Sequence, residues 1–302
     1  MNPPPASVVA VVGAGNMGGA MVARLRALGH PVAVCDIDPV RQREAARLGA
    51  RVVDTPAAAA QALDRTGLLI VCVVDAIQSE DVLFGTDGAA ARLSAGQDVM
   101  LCPTIAPEDV ERLTARLAET GIGCIDAPMS GGPARAREGS MSLMLAAPAP
   151  VLDRRRALLS QLSSRLFELS GHPGDGARTK LVNNLLAGIN LVGAAEVLAL
   201  AERLGLDAGR TLDVIEQSSG QSWIGSDRMR RAIAGDLQPR AHVTLLEKDT
   251  RLAVEAAARA GFQGPLGGHA ARVFAQAHAA GMADLDDAAL LQLLRQTGAD
   301  AR

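Results

Sequence analysis

The chain has 302 residues, a formal net charge of −3 and no tyrosine. Near-neutral charge with both signs interspersed leaves no electrostatic footprint for nucleic acid or an anionic membrane surface. The missing tyrosine excludes any mechanism that needs a tyrosine general acid. The 30 basic residues comprise 28 arginines and two lysines, Lys180 and Lys248. Arginine stays protonated, whereas a desolvated lysine can lose its proton and act as a base. From composition alone, arginine-biased codon usage is the favoured explanation of the skew, so the positions of the two lysines must decide. The length permits one large domain or two ordinary ones.

The opening MNPPPAS has no basic region, and the apolar run from Val8 stops at Val12, before Gly13. Neither a signal peptide nor a membrane span is expected there, and the expected location is cytoplasmic. From Val8 to about Leu169, short apolar runs alternate with helical patterns. The runs lie at 8–13, 32–36, 51–54, 68–74, 98–102, 122–126, 141–146 and 165–169. They are nearly continuous in Val, Ile and Leu, as strands covered on both faces should be. Helical patterns such as Met17–Leu28 and Pro107–Leu117 separate them, with Pro39 and Pro107 suited to a first helical turn. Cys35, Cys72, Cys102 and Cys124 fall within or at the ends of these runs. They read as small buried hydrophobes in a reducing compartment, none has zinc-ligand spacing, and no metal site is expected.

After Leu169 the breaker cluster SGHPGDG precedes a long helical pattern from Ala177 to Leu204, with Asp175 as its expected N-cap. Every later segment is helical. The predicted organisation is an α/β domain with a mostly parallel, Rossmann-type sheet over 1–171, then an all-α domain over 172–302, joined by a long interdomain helix.

The first strand runs into Gly13-Ala14-Gly15-Asn16-Met17-Gly18 and then a helix. In that context the three glycines give a tight turn, a close approach for a pyrophosphate and close helix–strand packing, with phosphates at the helix N-terminus. Asp36, ending the second strand, suits the adenosine ribose hydroxyls and would repel a 2′-phosphate, so NAD is expected over NADP. Arg41 and Arg43, just beyond, keep NADP open.

Lys180 and Asn184 lie four apart on the long helix and share a face near its N-terminal end. A helix N-terminus disfavours an ammonium and lowers its pKa towards a useful range. Plain solvation at a domain boundary is the competing reading; the apolar surroundings and Asn184 weigh against it. The Ser130-Gly131-Gly132 loop, beyond the sixth strand, offers a hydroxyl and backbone N–H groups as a carboxylate cradle. Lys248-Asp249 follows apolar Leu245 and Leu246 in the helical domain.

With GAGNMG, DAPMSGGPARAREGSM, KLVNN, SSGQSW at 218–223 and KD at 248–249 in this order, the chain resembles β-hydroxyacid dehydrogenases of the 3-hydroxyisobutyrate dehydrogenase family over essentially its whole length. The resemblance implies hydride transfer between NAD and a small 3-hydroxy or sugar carboxylic acid. Lys180 is then the general acid/base, Ser130, Gly131 and Gly132 bind the substrate carboxylate, and Asn184 supports the reacting hydroxyl. It also implies cofactor contacts from Gly13, Gly15, Asn16, Met17, Gly18, Asp36, Val73, Val74, Thr104 and Lys248, with Asp249 orienting the site. Trp223 lines the substrate pocket or anchors the helical core. A homodimer or homotetramer is implied as well. Three departures touch pocket shape: Pro103 before Thr104, Met129 in place of valine, and Asp75 in place of proline. The stretch 73–85 is similar to the branch acting on threonate and related sugar acids. The alternatives are an NADP-dependent tartronate or succinic semialdehyde reductase, and a non-catalytic dinucleotide-binding relative, in which the lysine position is typically altered.

Overall fold

The computed structural model describes residues 7–296, and the chain divides between Lys180 and Leu181 into two compact units. In the first unit β1 (Val9–Val12), α1 (Asn16–Ala27), β2 (Val32–Cys35), α2 (Pro39–Arg47), β3 (Arg51–Val52), α3 (Pro56–Gln61) and β4 (Leu68–Val71) follow in turn. Next come α4 (Ala76–Phe84), β5 (Asp98–Leu101), α5 (Pro107–Ala118), β6 (Gly123–Asp126), β7 (Met129–Ser130) and α6 (Gly132–Glu138). Then β8 (Ser142–Ala146), α7 (Ala149–Leu162) and β9 (Arg165–Ser170) precede α8 (Asp175–Arg203). All strands join one sheet, ordered β3-β2-β1-β4-β5-β6-β8-β7, with β9 on β8.

From β3 to β6 neighbouring strands are parallel, and every residue of β1, β2, β4 and β5 is buried. Side chains alternate between the faces. Val9, Val11 and Ile70 feed one apolar layer, and Ala10, Val12, Leu69 and Val71 the other. Strand order reverses between β1 and β4, and the crevice outside the carboxyl ends of such strands is where open α/β sheets bind ligands.

Two expectations need correction. The two-residue strand β7 carries Ser130, placed above in a loop; it pairs antiparallel with β8, Ser130 opposite Ser142. Asp175 is not the N-cap of the long helix but its first residue. Its carboxylate accepts from Ser170 Oγ at 2.6 Å and from Arg178 at 2.9 Å. The N–H groups of Gly174 and Ala177 go instead to Asp126 Oδ2, at 2.8 and 3.0 Å.

The first unit also buries an ionic cluster. Asp98, fully buried at the start of β5, takes hydrogen bonds from Arg154 and Arg155 of α7. Arg155 is itself buried, and donates further to the carbonyls of Gly96 and Thr66.

The second unit packs the rest of α8 with α9 (Ala208–Glu216), α10 (Trp223–Ile233), α11 (Val243–Arg259), α12 (Pro265–Ala277) and α13 (Leu290–Gln296). Its core holds Leu191, Leu198, Met229, Phe274 and Leu290. By length and composition α8 could cross a bilayer, yet Leu191, Ala195 and Leu198 are buried in this core. Two adjacent carboxylates here part ways. Burial works against ionised Asp286, but Arg231 and the N–H groups of Arg240 and Ala288 hold it down to about 2. Burial pushes Asp287 up to about 7, against the pull of Arg228.

Candidate active site

The glycine loop has the shape that a pyrophosphate needs. A Cβ on Gly18 would stand 1.9 Å from the Gly13 carbonyl oxygen, so α1 can approach the end of β1 only if residue 18 lacks a side chain. A Cβ on Gly15 would meet no atom within 4 Å; the N-cap of α1 faces open space. That pairing of a packed glycine with an open one fits a dinucleotide whose phosphates rest on the loop and on the N-terminus of α1. Met17, at the start of α1, packs against the core beside it. Asp36 closes the other side. Its Oδ2 accepts from Ala14 N at 2.5 Å and its Oδ1 from Asp38 N at 2.8 Å, which ties the end of β2 to the loop. Arg41 reaches Asn16 Oδ1 at 3.4 Å and pairs with Glu44.

Val73, Val74 and Thr104 follow the carboxyl ends of β4 and β5, the strands that continue the sheet from β1. Val74 is half-exposed and its N–H donates to Gln78 Oε1 at 3.1 Å. Asp75, a departure from the family pattern, acts locally as the cap of α4, accepting from Gln78 N at 2.8 Å.

Beyond β6 the chain passes through Ser130 into Gly131 and Gly132, with φ of +125° and +75°. Side chains rarely tolerate that conformation, so the turn needs glycines. Lys180 lies in the second turn of α8, is only 8% exposed, and donates from Nζ to the Met129 carbonyl at 2.7 Å. The amine therefore stands at the residue before Ser130. A solvated boundary lysine does not fit that burial. Cys102 and Cys124 are buried, and burial pushes Cys124 up to about 12, so it is a neutral thiol at physiological pH.

In the second unit three expected residues meet. Asn184 Nδ2 donates to Asp249 Oδ2 at 2.6 Å, and Lys248 Nζ pairs with Asp249 Oδ1 at 3.2 Å. Asn183 donates to Asn184 Oδ1 at 2.9 Å, so the amide orientation is set from both ends. Trp223 begins α10, N-capped by Ser222, and is 52% exposed; it is not a core anchor. What the sequence reading misses is Asp126, whose partners are 48 and 51 residues away along the chain. The single signal available is its place at the head of DAPMSGG.

The family model for the NAD binding domain of 6-phosphogluconate dehydrogenase matches residues 8–171. A second, described as NAD-binding of NADP-dependent 3-hydroxyisobutyrate dehydrogenase, matches 174–294. An L-threonate dehydrogenase from Cupriavidus necator is 34% identical over 94% of this chain and 95% of its own length. The chain belongs to the β-hydroxyacid dehydrogenase family. It is an NAD(P)-dependent oxidoreductase acting on CH–OH donors. A 3-hydroxyisobutyrate dehydrogenase from Pseudomonas aeruginosa is 33% identical over 88% of this chain and 90% of its own. Among solved structures, the 3-hydroxyisobutyrate dehydrogenase from Salmonella typhimurium superposes with a TM-score of 0.87 at 33% identity, covering 95% of this chain and 99% of that one.

Proposed function

We propose that this family member oxidises a small hydroxy carboxylic acid with NAD, with Lys180 as general base and, in reverse, as general acid. The observation that carries the reading is the buried Lys180 Nζ, 2.7 Å from the carbonyl that precedes Ser130. The Ser130 hydroxyl and the N–H groups of Gly131 and Gly132 hold the substrate carboxylate, and Lys180 Nζ removes the proton from its hydroxyl. NAD, when bound, accepts the hydride from the hydroxyl-bearing carbon. The family resemblance assigns Asn184 to the reacting hydroxyl and Lys248 to the cofactor. Asp249 holds the Asn184 amide through Oδ2, and its Oδ1 lies within ion-pair distance of Lys248. A well-placed acid–base group is worth about 10²–10⁴ in rate. Lys180→Arg, whose guanidinium cannot deprotonate, should bind NADH normally and lose turnover by about that factor. Retention of most of the turnover would overturn the assignment.

NAD is favoured by Asp36, a carboxylate at the end of β2 where a 2′-phosphate would be repelled. A second reading, NADP, draws on Arg41 beside Asn16 and on the NADP-dependent family described for residues 174–294. Comparing kcat/KM for the two cofactors decides between them. For the substrate, the 34% identical L-threonate dehydrogenase and the stretch 73–85 together favour a sugar acid of threonate type. A panel of L-threonate, 3-hydroxyisobutyrate and tartronate semialdehyde, followed by reduced-nicotinamide absorbance, tests it; preference for 3-hydroxyisobutyrate would refute the sugar-acid choice. Val182, Leu186, Val197 and Leu200 leave α8 with exposed apolar side chains, which supports a homodimer or homotetramer, to be checked by light scattering in solution.

A further inference from the structure

Asp126 ends β6 and is 1% exposed. Its Oδ2 receives the N–H groups of Gly174 and Ala177, at 2.8 and 3.0 Å, and the Gly176 N–H also bonds to the carboxylate. These are the groups that the first turn of a helix leaves without intrahelical partners. Residue 176 adds a second, independent constraint. A Cβ there would lie 2.8 Å from Asp126 Cγ and Oδ2, and 2.9 Å from Oδ1. Only glycine lets the helix close down on the carboxylate.

The connection runs on from both ends. Forward from Asp126, three residues lead to Met129, whose carbonyl accepts from Lys180 Nζ at 2.7 Å. Forward from Ala177, three residues of α8 lead to Lys180. A closed ring results: the carboxylate at the end of β6 holds the start of the helix, the helix carries the amine, and the amine returns to Met129 of β7, three residues beyond the carboxylate. Release of the carboxylate leaves the first turn of α8 without its anchor, while the Met129 segment stays pinned to β8 by the β7 pairing. The amine and its acceptor then no longer keep register.

We infer that Asp126, with Gly176, is a positioning residue that sets the place of Lys180 through the first turn of α8. This rests on the reading of Lys180 as acid–base group. Burial pushes Asp126 up to about 6, against the pull of the three N–H groups, so at neutral pH it is mainly ionised and complements the helix dipole.

The test uses Asp126→Asn, Asp126→Ala and Gly176→Ala in the full chain, assayed with NAD and whichever acid of the panel is turned over. Each single variant should lower kcat at least tenfold while NADH affinity stays within twofold. Hydrogen exchange should quicken at the amides of 174, 176 and 177 in Asp126→Ala, a readout that does not depend on turnover. Gly176→Ala should add nothing in the Asp126→Ala background, because the atoms it collides with are gone. Asp126→Asn should likewise add nothing to the residual rate of Lys180→Ala. Unchanged kcat in the single variants, or an equal fall with and without Lys180, overturns the inference and leaves the Lys180 assignment standing. Full activity in Lys180→Ala alone overturns both, and is recognised by that variant.

Discussion

The two glycines at the head of α1 allow binding to be separated from folding with a single added carbon. Gly18→Ala puts its Cβ where the Gly13 carbonyl oxygen would be only 1.9 Å away, so backbone must move. Overpacking of this kind costs about 1–3 kcal/mol; for a unit of this size that is roughly 2–12 °C in Tm. Gly15→Ala meets nothing within 4 Å, and its φ of −61° is not a left-handed value reserved for glycine. Alanine is a poorer N-cap than glycine, but it loses less chain entropy on folding, worth about 0.4–1 kcal/mol. The net change should stay within about 1 kcal/mol. On the proposed placement of the phosphates, that methyl would stand in the approach of the pyrophosphate. A ten- to hundredfold loss of NADH affinity is expected, roughly 1.4–2.8 kcal/mol. Thermal unfolding and fluorescence titration with NADH, run on both variants, separate the two effects. Wild-type NADH affinity in Gly15→Ala would refute the placement of the phosphates. Wild-type stability in Gly18→Ala would refute the close packing of α1 on β1.

Asp98→Ala strips Arg155 of its carboxylate while the guanidinium stays buried, so it should cost about 3–5 kcal/mol by urea unfolding. Replacing Asp98 and Arg155 together by Leu and Met should recover much of that; a loss below about 1 kcal/mol for Asp98→Ala alone would contradict the cluster's role. For Asp287 the ordinary value of 3.8 rises to about 7. A raised carboxyl favours its protonated form in the fold, so its stabilising contribution is complete below about pH 4 and is lost as pH rises through 7. At most about 4 kcal/mol is involved. Asp287→Asn should flatten the fall in stability between pH 4 and 8. Asp286, held at about 2, stays ionised throughout that window, and its charge adds to the rise at Asp287. An identical slope in the variant would exclude Asp287 as its source.

Features that depend on local order were the ones legible in the amino-acid sequence. The glycine loop declares itself because strand, turn and helix are contiguous, and the buried strands because parallel strands covered on both faces are uniformly apolar. Pro39 and Pro107 indeed open α2 and α5. What stayed hidden depends on partners far along the chain. The two residues of β7 have no pattern of their own; they form a strand because Leu143 and Ser142 lie opposite them. Asp175 looks like a cap by position, but the helix start is held by a carboxylate some 50 residues earlier. For Trp223, size suggests a core anchor, and only the capped start of α10 shows that it stands half outside.

The scarcity of lysine makes this chain unusually easy to interrogate by spectroscopy. Lys180 is buried against a carbonyl in the first unit, and Lys248 sits on a carboxylate in the second. Reductive methylation with ¹³C-formaldehyde would therefore install just two lysine reporters, one in each unit, beside the label on the chain's α-amine, in a protein of 302 residues. Their NMR shifts, followed against pH with and without NADH, would report the protonation of the amine at the centre of the proposed chemistry directly, uncrowded by the surface lysines that obscure such signals in most proteins.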